Sequence, residues 1–275
     1  MPIQGLKPED YLEPECIFCK PETVQHKPVD LRRCMTKLDE YLYRNDLTGA
    51  ERHLNYWKQE ALTCNDDRGL LTIENERMGL YRKLGREQEA MEAAASAERL
   101  VTRANLQDTV TAATTFLNIG TVYKSFGRAA ESLPYYGQAR AIYERDLQPD
   151  DPNMAGLYNN QALALTDCGR LAEARVLYEK ALSILRRTDS GLPEQAITEL
   201  NLANLDEAEY GLLEAEAAID GRLDRAKALL DDPRNEKNGY YAFVCEKCAP
   251  TFGYYGRFFD AQELKERAEA IYAGS

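Results

Sequence analysis

Gly85, Gly127, Gly169 and Gly211 stand 42 residues apart along the chain. Each is flanked by apolar residues at helical spacing, so each glycine reads as the turn between two helices and the interval as one repeating helix pair. A unit of this size cannot bury a core alone. It has to stack on its neighbours, which gives an elongated solenoid with a long concave face, and such faces ordinarily serve binding. The expected fold is all-α, a superhelical solenoid of about six helix-turn-helix repeats.

Five of the eleven prolines, Pro2, Pro8, Pro14, Pro21 and Pro28, fall at the start of the chain and forbid a continuous helix there. Residues 1–28 therefore read as an arm, expected to dock on its own solenoid or a second copy, and residues 29–275 as the repeat array. Asp30 suits an N-cap for a helix carrying Leu31, Cys34, Leu38, Tyr41 and Leu42 on one face. Asn45-Asp46 breaks it, and a second helix follows through Ala50, Leu54, Trp57 and Ala61. Turns are expected near residues 45, 85, 127, 169, 221 and 256. The fifth is displaced because Glu216 sits where a small residue should pack after Gly211. Gly221-Arg222-Leu223-Asp224-Arg225-Ala226 instead parallels Gly169-Arg170-Leu171-Ala172-Glu173-Ala174. One long helix from about Glu194 to Ile219 is then expected, with Gly211 inside it at a cost of about 1 kcal/mol relative to Ala.

The third unit carries Phe116-x-x-Ile119-Gly120-x-x-Tyr123, the turn at Gly127, then Ser132, Tyr136 and Ala139. This resembles the tetratricopeptide repeat, in which small residues let the two helices approach and large ones fill the holes beside them. The fourth unit repeats it with Tyr158, Ala162, Leu165, Gly169, Ala174, Tyr178 and Ala181, and the second with Tyr81, Gly85, Ala90, Ala94 and Ala97. The unit is longer than the usual ~34 residues by about 12 Å of helix. The connector Leu147-Gln148-Pro149-Asp150-Asp151-Pro152 and the stretch Leu157-Tyr158-Asn159-Asn160-Gln161-Ala162-Leu163-Ala164 resemble kinesin-light-chain-type repeats. The resemblance implies a right-handed superhelix, a cytosolic protein of a bacterial type, and first helices lining the inner surface.

Charge and composition narrow the function. Lys and Arg total 34 against 46 Asp and Glu, a net charge of -12 that repels a nucleic-acid backbone. No apolar run is long enough to span a membrane, and the start lacks a basic segment followed by an apolar one, so a cytoplasmic location is expected. Seven cysteines fit reduced thiols. The only histidines, His26 and His53, form no metal or catalytic spacing, and no nucleophile, base and orienting group can be assembled. No enzyme activity and no cofactor are expected. Cys16-x-x-Cys19 and Cys245-x-x-Cys248 have the spacing of a four-thiolate zinc site. Counting back from Gly256, however, Cys245 and Cys248 take the packing positions of Phe116 and Ile119, where Cys serves as a small hydrophobe. No metal is expected, and these four thiols are the weak candidates for one.

The leading functional expectation is a non-enzymatic scaffold that takes a protein or extended peptide segment in its concave groove. Asn75, Asn118, Asn159, Asn160 and Asn201 recur on first helices at about one per unit, and each amide offers the donor and acceptor an extended backbone needs. The competing use of these amides is bonding to neighbouring helices or water, which suits Asn118 and Asn160, one step around the helix from Asn75, Asn159 and Asn201. Arg82, Lys83 and Lys124 oppose Asp167 and Glu209 farther along, a polarity that could orient an acidic ligand. The aromatic run Tyr240, Tyr241, Phe243, Phe252, Tyr254, Tyr255, Phe258 and Phe259 reads as the last unit's core, with a dimer contact as the alternative use of its excess. The alternative function is a peptide-sensing regulatory repeat protein without its own DNA-binding domain.

Overall fold

A computed structural model describes residues 27–187 and 191–274. The proline-rich arm, with Cys16 and Cys19, lies almost entirely outside the described residues. Among the described residues there are twelve α-helices and no strand. They form six antiparallel pairs: α1 (Leu31–Tyr43) with α2 (Leu47–Thr63), α3 (Asp67–Lys83) with α4 (Glu87–Arg103), α5 (Val110–Ser125) with α6 (Ala129–Asp146), α7 (Pro152–Asp167) with α8 (Leu171–Leu185), α9 (Leu192–Tyr210) with α10 (Leu212–Asp231), and α11 (Gly239–Tyr254) with α12 (Phe258–Ala273).

Local chemistry sets most of the boundaries. Asp30, Asp46 and Asp66 accept the backbone N–H three residues on, from Arg33, Gly49 and Gly69, at 3.0, 2.8 and 2.9 Å. At Gly85, Gly127, Gly169 and Gly256 the chain turns with φ between 68° and 78°. There the following Arg N–H reaches back across the last helical turn, as from Arg86 to the Tyr81 carbonyl at 2.9 Å. Asn45, Asn65 and Asn105 adopt the same left-handed geometry, with φ of 53°, 52° and 53°.

The fifth turn corrects the sequence reading. It lies at Gly211, with φ 82° and ψ 158°, and Gly221 is inside α10. The physical reason is a turn one residue shorter than the others. Elsewhere an arginine after the glycine is the N-cap (Arg86, Arg128, Arg170 and Arg257), whereas Gly211 closes α9 and caps α10 at once. The packing register moves up by one, so Ala215 takes the buried small position and Glu216 faces solvent. Ile219, Leu223, Ala226 and Leu230 then continue the buried face.

Packing follows the small-and-large pattern. Tyr136 is fully buried with its ring against Gly120, where an added Cβ would stand 2.8 Å from Cε1, and Ser132 and Ala139 are buried beside it. Cys34, Cys245 and Cys248 occupy the same buried layer of their own pairs. Burial pushes the Cys34 and Cys248 thiols up to about 12, and raises that of Cys245, so all three are protonated hydrophobes at neutral pH.

Helix α9 is the exception to one-sided burial. Leu202 and Leu205 join the core running back to α1, while Ala196, Leu200 and Ala203 join a second core shared with α10, α11 and α12. Polar residues of α9 are consequently buried too, and Glu199 and Asp206 are held by arginines from α8 and α10. At the far end the array meets its own beginning. The Cα of Gly239 on α11 lies so close to the Tyr43 ring on α1 that an added Cβ would approach it to 3.0 Å. Leu38, Leu42, Leu80, Tyr240, Phe243 and Tyr272 line a cleft of about 530 Å³ along this seam.

Candidate functional site

From α3 onward the first helices of successive pairs pack against one another, and the asparagines expected to line their concave side prove to be mostly engaged within the solenoid. Asn75 Nδ2 donates to the Leu71 carbonyl at 2.9 Å and to Thr115 Oγ1 at 3.1 Å, while its Oδ1 accepts from Asn118 Nδ2 at 2.7 Å. Asn159 Nδ2 donates to Thr198 Oγ1 at 2.8 Å, tying α7 to α9. Asn160 bonds within its own helix, to the Gly156 carbonyl at 2.9 Å. Asn201 is half-buried, and its Nδ2 is enclosed without a hydrogen-bond partner among the described residues. Asn75 and Asn159, two of the three expected to be freer, are thus ties between neighbouring repeats. Asn159→Ala should lower stability by about 1 kcal/mol in urea unfolding, the usual loss for one such bond. A loss indistinguishable from zero would show that the tie contributes nothing.

The charges separate into two groups. Lys83 turns toward the seam, donating to Asn45 Oδ1 at 3.0 Å, and Glu209 is taken up by Arg175. Arg82 and Lys124 remain on the concave side, and Lys124 Nζ lies 3.5 Å from Asp167 Oδ2. They are joined by Lys247 of α11, which sequence reasoning missed. Lys247 keeps water access, yet its pKa is lowered, chiefly by lost hydration; the Cys248 sulfur opposes this, and the like charges of Arg82 and Lys124 add to it. Lost hydration also lowers Arg82, with Tyr136 opposing. Cations from α3, α5 and α11 therefore share one partly enclosed space. The signal for Lys247 was its register: counted from the turn glycine, it takes the helix position of Asn118 and Asn160.

Such a space can hold an anionic group by charge, and its walls are helix faces with no cluster of metal-ligating side chains among the described residues. Residues 112–153 and 154–188 match the tetratricopeptide-repeat family model. Their boundaries fall on the α5–α6 and α7–α8 pairs. These two pairs match tetratricopeptide repeats, and the array as a whole has the fold of a TPR-like solenoid. Among solved structures, this solenoid is similar to the nearly identical TPR-like repeats of a kinesin light chain from Podosopora anserina, at 20% identity and a TM-score of 0.51, covering 74% of this chain and 95% of that one. It is also similar to BtubC (BKLC) from P. vanneervenii, at 17% identity and a TM-score of 0.52, covering 90% of this chain and 92% of that one. At those identities the likeness is one of fold. No curated protein sequence is significantly similar to the chain. No helix among the described residues is long and apolar enough to cross a membrane.

Proposed function

We propose that the solenoid is a non-catalytic scaffold whose concave side takes an extended, acidic segment of a partner protein. The repeat fold supports protein interaction in general. What supports an acidic segment is the meeting of three cations from three different helices, Lys247 lying close enough to Arg82 and Lys124 to be repelled by both. An incoming carboxylate relieves that repulsion, and the local positive charge steers an acidic segment toward this patch. Asp167 beside Lys124 sets one edge of it.

The test is fluorescence anisotropy with a labelled Glu-rich decapeptide and a Lys-rich control of equal length. The Glu-rich probe should bind, weaken with added salt, and lose about tenfold in association rate when Lys124 and Lys247 are both changed to Glu. Circular dichroism should be unchanged, since neither side chain is part of the core. Equal binding of the two probes, or binding indifferent to the double substitution, would remove the acidic segment from this reading.

A further inference from the structure

The last two repeats carry an apolar surface that the concave site does not use. Tyr210, Leu212 and Leu213 flank the Gly211 turn, and Tyr254, Phe258 and Phe259 flank the Gly256 turn, with exposures running from 52% at Leu212 to 93% at Phe259. The two turns stand side by side. Tyr254 and Tyr255 at the end of α11 both donate to Glu207 of α9, each at 2.8 Å, and the two rings meet edge to face at 4.9 Å. The aromatic run of the sequence is thereby divided, since Tyr241 and Phe252 are core while Tyr254, Phe258 and Phe259 are surface. The corresponding positions after the earlier turns hold Leu47 and Thr48, Glu87 and Gln88, Ala129 and Ala130, and Leu171 and Ala172, so none carries two large apolar residues. Among the described residues, no earlier turn exposes a large apolar pair.

We propose that this rim is an isologous dimer interface, its occupant a second copy of the chain. Size is the first argument. With large apolar side chains presenting about 150–250 Å² each, the observed exposures leave roughly 800 Å² uncovered. That exceeds the ~300–600 Å² of the largest patch on a typical monomer and equals what one partner contributes to a standard interface, about 800 Å². Chemistry is the second. Covering Tyr254 and Tyr255 strands neither phenol, because both are already bonded to Glu207. The nearby cations are also satisfied within the chain: Arg257 by Asp224 and Asp260, Arg175 by Asp206 and Glu209. The surface therefore asks its partner for apolar contact and not for charge, which the same surface on a second copy supplies. The acidic surplus of the chain, with Glu214 and Glu216 exposed close by, opposes the approach of two copies. Added salt screens that repulsion and leaves the apolar contact.

Sedimentation velocity on the full chain, from low to high micromolar concentration and at two salt concentrations, tests this. The wild type should dimerise, and more tightly at the higher salt. Changing Phe258 and Phe259 together to Asp should weaken the dimer about a thousandfold, as expected for two central rings. Helicity and melting should be unaltered, because both rings are exposed. Tyr56→Asp, at an exposed ring on α2, should leave the dimer intact. A wild type that stays monomeric, whether or not another protein covers the rim, overturns the proposal. So does a dimer that survives the Phe258 and Phe259 changes, or one that dissociates with salt.

Discussion

Arg222→Met is expected to cost about 3–5 kcal/mol of stability, the range for breaking a buried ion pair by removing one partner. Arg222 bridges two carboxylates of α9, reaching Glu199 at 2.9 Å and Asp206 at 3.2 Å. Both acids are buried, Glu199 at 1% exposure and Asp206 at 4%, so neither can recover hydration when the guanidinium is lost. Methionine keeps most of the stem's packing volume, which isolates the charge from the cavity. The remaining cations compensate only in part. Asp206 keeps Arg175, while Glu199 keeps Arg186 and Arg225, whose side chains are more than half and half exposed. Arg186→Met is the matched control and should cost under about 1 kcal/mol, as exposed pairs do. Urea unfolding of the two variants measures the contrast. Equal losses would mean that the α9 carboxylates are solvated and the network is a surface feature.

Two glycine substitutions should act in opposite directions. Gly211 combines φ 82° with ψ 158°, a backbone region closed to residues with a Cβ, so Gly211→Ala should cost about 1–3 kcal/mol. Gly221→Ala should instead stabilise the protein, by up to ~1 kcal/mol, because an alanine inside α10 loses less backbone entropy on folding. Its Cβ would meet only the Arg225 Nη1, at 3.3 Å, the far end of a flexible side chain. Thermal melts should separate the pair by several degrees at roughly 2–4 °C per kcal/mol. A stabilising Gly211→Ala with a destabilising Gly221→Ala would return the turn to the position that the pattern after Gly221 suggests.

The helix pairs, four of the five glycine turns, the Asp30 cap and the close approach at Gly120 were all legible in the chain, because each depends on residues near one another in sequence. Gly211 shows where that reasoning ends. A turn shortened by one residue shifts every later position by about 100° around the helix, and the matching small residue, Ala215, was hidden behind an expected spacing. Asn75 and Asn159 show a second limit: their partners, Thr115 and Thr198, are close only because one repeat stacks on the next.

By itself the sequence determined the repeating unit, its all-α character and which small and apolar residues meet inside each pair, since helix propensity, capping and packing period act locally. Only the tertiary structure decided that α11 returns to α1, that Lys247 joins Arg82 and Lys124, that α9 is buried on two sides with its acids paired, and which rings of the last repeat remain outside. Those outcomes depend on the small rotation between successive repeats, which accumulates over the array. No single unit contains it.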